Sequence, residues 1–113
     1  LDVGIGTGLS SLPFARAGLQ VYGCDESAKM LEVCRAKGFA ADLRQVGIGS
    51  SPWPYADGFF PHVVACGVFH FMGDLEPVFG EIARICQEAH LVFDTRNVTA
   101  GITLPPGCRV VKL

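Results

Sequence analysis

The segment Leu1-Asp2-Val3-Gly4-Ile5-Gly6-Thr7-Gly8 constrains this chain more than any other. An acid lies between two apolar residues at the tail of a strand, and glycine then takes every second position through the turn. Glycine accepts positive φ and carries no Cβ, so its backbone can come within contact distance of a ligand. A helix is predicted from Leu9 to Ala17, with Pro13 confined to its first turn and Gly18 as its stop. Its leading amides would face the same ligand and favour a carboxylate or phosphate. Strand, glycine turn and helix in that order are the start of a βαβ unit.

The remaining pattern agrees. Gln20 to Cys24 reads as a second strand ending at Asp25, and Ser27 is a good N-cap for a helix that buries Met30, Leu31, Val33 and Cys34 before stopping at Gly38. Leu43 to Ile48 is the third predicted strand. After the turn signal Asp57-Gly58, His62 to Cys66 reads as a continuous apolar fourth strand, buried on both faces. From Asp74, with Pro77 in the first turn, residues Leu75, Val78, Phe79, Ile82, Ala83 and Cys86 keep helical spacing. Leu91 to Phe93 is the fifth strand. The signal fades after Asp94 into a loop containing Pro105-Pro106-Gly107, with Cys108 to Leu113 as a candidate sixth strand. The expected fold class is α/β: a doubly wound, Rossmann-like parallel sheet of order 3-2-1-4-5 between two helical layers. Residues 1–113 are expected to form one domain, with 1–94 as its core and 95–113 as loop and candidate strand. The strand set reads as incomplete at both ends, and the piece alone is expected to self-associate or fold poorly.

Composition excludes several partners. Over 113 residues the nine Lys and Arg are scattered and the net charge is −2, which gives no basic surface for a phosphate backbone. The longest central stretch without a charge or proline, Val63 to Met72, is about half of the roughly 20 residues that span a bilayer. The five cysteines stand at no metal or redox spacing, so no metal site is expected and free thiols in a reducing cytoplasm are. Oligomeric state is not legible.

Asp25 follows Gly8 by seventeen residues, at the end of the second strand, where an acid can accept both hydroxyls of a ribose. Glycine turn and acid together would fit a dinucleotide, whose fingerprint is Gly-x-Gly-x-x-Gly. Here Leu9 stands where the third glycine belongs, and the Asp2 carboxylate beneath the turn would repel a pyrophosphate but attract an ammonium group. A ligand with carboxylate, ammonium and ribose is an amino-acid nucleoside, of which S-adenosylmethionine is an example.

From Leu1 to about Thr95 the sequence resembles the class I S-adenosylmethionine-dependent methyltransferases. Leu-Asp-Val-Gly-Ile-Gly-Thr-Gly is similar to their first motif, Val21-Tyr-Gly-Cys-Asp25-Glu26-Ser27-Ala-Lys-Met30-Leu to their second strand and ribose acid, Trp53-Pro-Tyr-Ala-Asp-Gly-Phe-Phe60 to the loop before the fourth strand, and Cys66-Gly-Val-Phe-His70-Phe to the segment after it. The resemblance implies methyl transfer from S-adenosylmethionine to a small-molecule acceptor. It implies cofactor contacts from Asp2, Gly4, Gly6, Gly8, Asp25, Glu26, Met30, Gly47, Ile48 and Cys66. Met30 would lie on the adenine, against the plainer reading of core packing. His70 is the weak catalytic candidate, as the one titratable side chain in the segment expected to face substrate, with a packed or solvent-facing histidine as the favoured reading. The chain departs from the family in lacking an acid at Gly47 to Gly49 to receive the adenine amino group, a duty that Asp42 could take if the third strand were short. It departs again at Phe60-Pro61 and at Gln87-Glu88-Ala89. A degenerate cofactor-binding scaffold and an NAD(P)-dependent oxidoreductase are the alternatives, the second opposed by Leu9 and Asp2.

Overall fold

The computed structural model describes residues 1–69 and 72–87, together with the backbone of 91–94 and 109–112. Its elements are β1 (Asp2–Val3), α1 (Leu12–Arg16), β2 (Val21–Asp25), α2 (Ala28–Ala36), β3 (Ala40–Gln45), α3 (Glu76–Ile85), β4 (Leu91–Asp94) and β5 (Arg109–Lys112). β2 lies between β1 and β3, and both pairings are parallel. The protein is therefore α/β, as the alternation of apolar runs predicts. β1 meets β2 with Asp2 opposite Gly23 and Val3 opposite Cys24. Gly23 is required there, because a Cβ would stand 2.5 Å from Ile5 Cδ1.

Alternation along the strands sends side chains to two cores. Val3, Cys24, Val46, Ile48, Trp53 and Phe60 pack with Val78 and Ile85 of α3, whereas Ile5 and Val21 pack with Leu31 and Cys34 of α2, joined by Ala15 of α1. Helices thus cover both faces of the sheet, and the carboxyl ends of its strands remain open for a ligand.

Four boundaries differ from the sequence reading. The first helix has only five residues and starts at Leu12, because Gly8 to Ser11 are taken up by turns in which Ser11 and Leu12 both donate to the Gly8 carbonyl. β3 starts at Ala40 and ends at Gln45 rather than running from Leu43 to Ile48. Val46 and Ile48 are buried, which explains the misreading, but they turn into the core instead of continuing the ladder. The predicted fourth strand, His62 to Cys66, is reduced to one parallel bridge between Val64 and Asp2, in which Val3 donates to Val64 and Val64 to Leu1, each at 2.8 Å. Val64 is 37% exposed, so this segment is not buried on both faces. Finally, the buried line of α3 is Val78, Glu81 and Ile85, not the stripe through Ala83, which is exposed.

β4 covers the predicted fifth strand and pairs in parallel with β5, which falls inside the candidate sixth. Ser27 caps α2 as expected, its hydroxyl accepting from the Met30 amide at 3.3 Å. No helix among the described residues is long and apolar enough to cross a membrane.

Candidate ligand-binding site

Beyond the carboxyl ends of β2 and β3 a cleft of about 200 Å3 is lined by Asp25, Glu26, Ile48, Val68 and Met72. Beside it lies the glycine turn, tied to the lining residue Asp25 through the Gly6 amide. Gly4, Gly6 and Gly8 all take positive φ, at 75°, 57° and 90°. They do so for different reasons: a Cβ on Gly4 would stand 2.7 Å from Val68 Cγ2 and one on Gly8 2.6 Å from Phe39 Cζ, whereas one on Gly6 would meet nothing closer than Met30 Sδ at 3.6 Å. Gly4 and Gly8 let the protein pack against its own turn. Gly6 leaves the turn open on the side of Met30.

The Asp25 carboxylate joins two loops. Oδ2 accepts the Gly6 amide at 2.9 Å and Oδ1 the Ser27 amide at 2.8 Å. A carboxylate has about four acceptor positions, so each oxygen is oriented by one backbone donor and can still accept a hydroxyl. Glu26 turns towards the segment after β3, where its Oε1 accepts the Ile48 amide at 2.9 Å and its carbonyl accepts Gln45 Nε2 at 3.0 Å.

Asp2 lies beneath the turn with only 2% of its surface exposed. Its Oδ2 accepts hydroxyls from Ser11 at 2.6 Å and Ser10 at 3.2 Å, while the buried Oδ1 accepts nothing from the described residues. Burial raises the carboxyl above the ordinary Asp range, against the lowering effect of the two serine hydroxyls. The Ser11 hydroxyl donated to Asp2 leaves α1 without a side-chain cap.

The sequence-predicted residues are partly brought together. Asp25, Glu26 and Ile48 line the cleft, and Met30, 48% exposed, stands over Gly6 rather than in the core. Gly47 shapes the adjoining turn, its carbonyl accepting the Ser50 amide and hydroxyl. Cys66, expected to be a small buried residue, is exposed and is not among the lining residues, whereas Val68 is. Asp42 lies near the start of β3, ion-paired with Arg44 at 2.8 Å, and so is removed from the strand's carboxyl end. His70 lies outside the described residues. Cys24 and Cys34 are buried free thiols, and burial pushes Cys24 up to about 11, which makes it unreactive. Among the described residues no group of His, Cys, Asp and Glu could hold a metal ion.

Sequence reasoning missed Glu81 and Arg84. Glu81 is buried on α3 and accepts the Trp53 amide at 2.6 Å, the Ser51 hydroxyl at 3.2 Å and Arg84 Nη2 at 2.7 Å. Arg84 donates in turn to the carbonyls of Trp53 and Tyr55 and to Asp57. Trp53, held in this way, donates from Nε1 to the Ile48 carbonyl at 3.2 Å. An acid between Val78 and Ile85, on the otherwise apolar line of α3, was the available signal.

Comparison with known proteins places this geometry. Residues 1–93 match the family model described as Methyltransferase domain. A candidate S-adenosyl-L-methionine-dependent methyltransferase from Methanococcus maripaludis superposes with a TM-score of 0.64 at 24% identity, over 78% of this chain and 42% of that one. A structure from work on the conversion of a disulfide bond into a thioacetal group during echinomycin biosynthesis superposes with a TM-score of 0.62 at 29% identity, over 75% of this chain and 37% of that one. The chain therefore spans less than half the length of either structure. No curated protein matched. Matched over residues 1–93, the chain belongs to the methyltransferase domain family.

Proposed function

We propose that the protein transfers a methyl group from S-adenosylmethionine to a small-molecule acceptor. The observation that carries this reading is Asp25, held by the amides of Gly6 and Ser27 with acceptor capacity left for two ribose hydroxyls. The other donors and acceptors fit the same cofactor. The buried Asp2, with Oδ1 unpartnered, supplies negative potential for an ammonium group, directly or through water. Gly6 leaves the turn open, and Met30 stands beside it for the adenine. Gly4, Gly8, Gly47 and Ile48 shape the surrounding loops, and the segment from Cys66 to His70 would border the acceptor. Under this reading the sheet is completed in the order 3-2-1-4-5 of the strands expected from sequence, the fourth being His62 to Cys66 and the fifth Leu91 to Phe93.

When bound, S-adenosylmethionine supplies an electrophilic methyl on a positively charged sulfur, so a neutral thioether leaves. The protein's task is then alignment and exclusion of water. Asp25 holds the ribose and Val68 and Met72 give the cleft an apolar wall. A net charge of −2 favours a small acceptor over nucleic acid, and the neighbour from echinomycin biosynthesis points the same way. A cytoplasmic location belongs to the same reading, on five cysteines that stand at no metal or redox spacing.

Calorimetric titration tests the reading. S-adenosylmethionine and S-adenosylhomocysteine should bind in preference to NAD and NADP, and equal or tighter binding of a dinucleotide would overturn it.

A further inference from the structure

Two neighbouring carboxylates line the cleft, and they are fixed in different ways. Asp25 is tied to the loops after β1 and β2, whereas Glu26 is tied by its carbonyl to Gln45 at the end of β3 and by its carboxylate to Ile48 in the segment that follows. That segment, Gly47-Ile48-Gly49, has no acid of its own, and Asp42 is ion-paired with Arg44 near the start of the strand. We propose that Glu26 determines specificity for the base of the cofactor, its carboxylate receiving the exocyclic amino group of adenine. The proposal rests on the cofactor reading given above.

The chemistry is that of an acceptor with one position in use. Oε1 of Glu26 is engaged by the Ile48 amide at 2.9 Å, and the described residues donate nothing to Oε2. A carboxylate only accepts, so a base with an N–H at this edge gains a charge-assisted bond that a base without one cannot make. With the ribose at Asp25, the adjoining wall of Ile48, Val68 and Met72 is apolar and suits a flat ring. Among the described lining residues, Glu26 is the carboxylate left for the base once Asp25 takes the ribose.

Binding measurements on the 113-residue chain decide the matter, with S-adenosylhomocysteine and its purine-riboside analogue, in which hydrogen replaces the 6-amino group, as probes. The wild-type chain should prefer the amino form by about tenfold or more. In Glu26→Gln the single amide oxygen stays with the Ile48 N–H and turns an NH2 donor towards the base, so the preference should shrink to about twofold or less. A wild-type chain indifferent to the amino group, or a Glu26→Gln chain with its preference intact, overturns the proposal and leaves the cofactor reading standing. Failure of the wild-type chain to bind S-adenosylhomocysteine at all overturns both. The wild-type comparison holds even if the variant does not fold.

Discussion

The carboxylate of Glu81 and the guanidinium of Arg84, three residues apart on α3 and 2.7 Å from each other, together hold the loop that carries Trp53. Hydrogen bonds from Arg84 hold Glu81 below the ordinary Glu range, against the opposing effect of burial. The unfolded chain therefore binds the proton more readily than the folded one. The stabilisation is complete above the unfolded value of about 4.3 and is lost as pH falls through the lower folded value. Glu81→Gln should cost about 1–3 kcal/mol at pH 7, and urea titrations should show the gap to wild type narrowing as the pH drops below about 4.

Asp2 titrates with the opposite sign. Burial raises its folded value, so the folded chain holds the proton longer, and stability declines as pH rises from about 3.9 through that raised value. Asp2→Asn keeps an oxygen for the Ser10 and Ser11 hydroxyls and removes the buried charge. Urea titration at pH 7 should show it more stable than wild type by about 1 kcal/mol, while calorimetry shows weaker S-adenosylmethionine binding.

Asp25 and Asp57 separate a ligand contact from a surface one. Asp25→Ala should weaken S-adenosylhomocysteine binding by about ten- to a hundredfold. Asp57 is 82% exposed and touches only the rim of the Arg84 network, so Asp57→Ala should leave affinity within about twofold. Equal losses in the two variants would remove Asp25 from the site.

The glycines should divide in the same way. Gly8→Ala sets a Cβ 2.6 Å from Phe39 Cζ and 2.8 Å from Cys34 Sγ on a backbone at φ 90°, and should lower stability by about 3 kcal/mol or more. Gly6→Ala meets no close atom, so thermal melting should show a loss of only about 1–2 kcal/mol, from its positive φ. Its larger effect should be on ligand affinity.

What the sequence discloses here is what short spans of chain decide. Gly6, Asp25 and the Ser27 cap lie within one βαβ unit, where turn geometry and capping chemistry act over a few residues. The errors arise where distant parts meet. Glu81 reaches Trp53 across 28 positions, and a polar residue on the buried line of α3 shifted the apparent apolar stripe. β3 was misplaced because burial of Val46 and Ile48 imitates strand patterning, although a packed loop buries them. The first helix was drawn too long because its spacing shows nothing of Ser11 being drawn down to Asp2.

The amides of Gly6 and Ser27 belong to loops 21 positions apart, yet both end on one Asp25 carboxylate. Neither loop can swing away without breaking a charged hydrogen bond that also orients the other. The two rims are therefore tied to one another through a single side chain, and any change at that carboxylate bears on both.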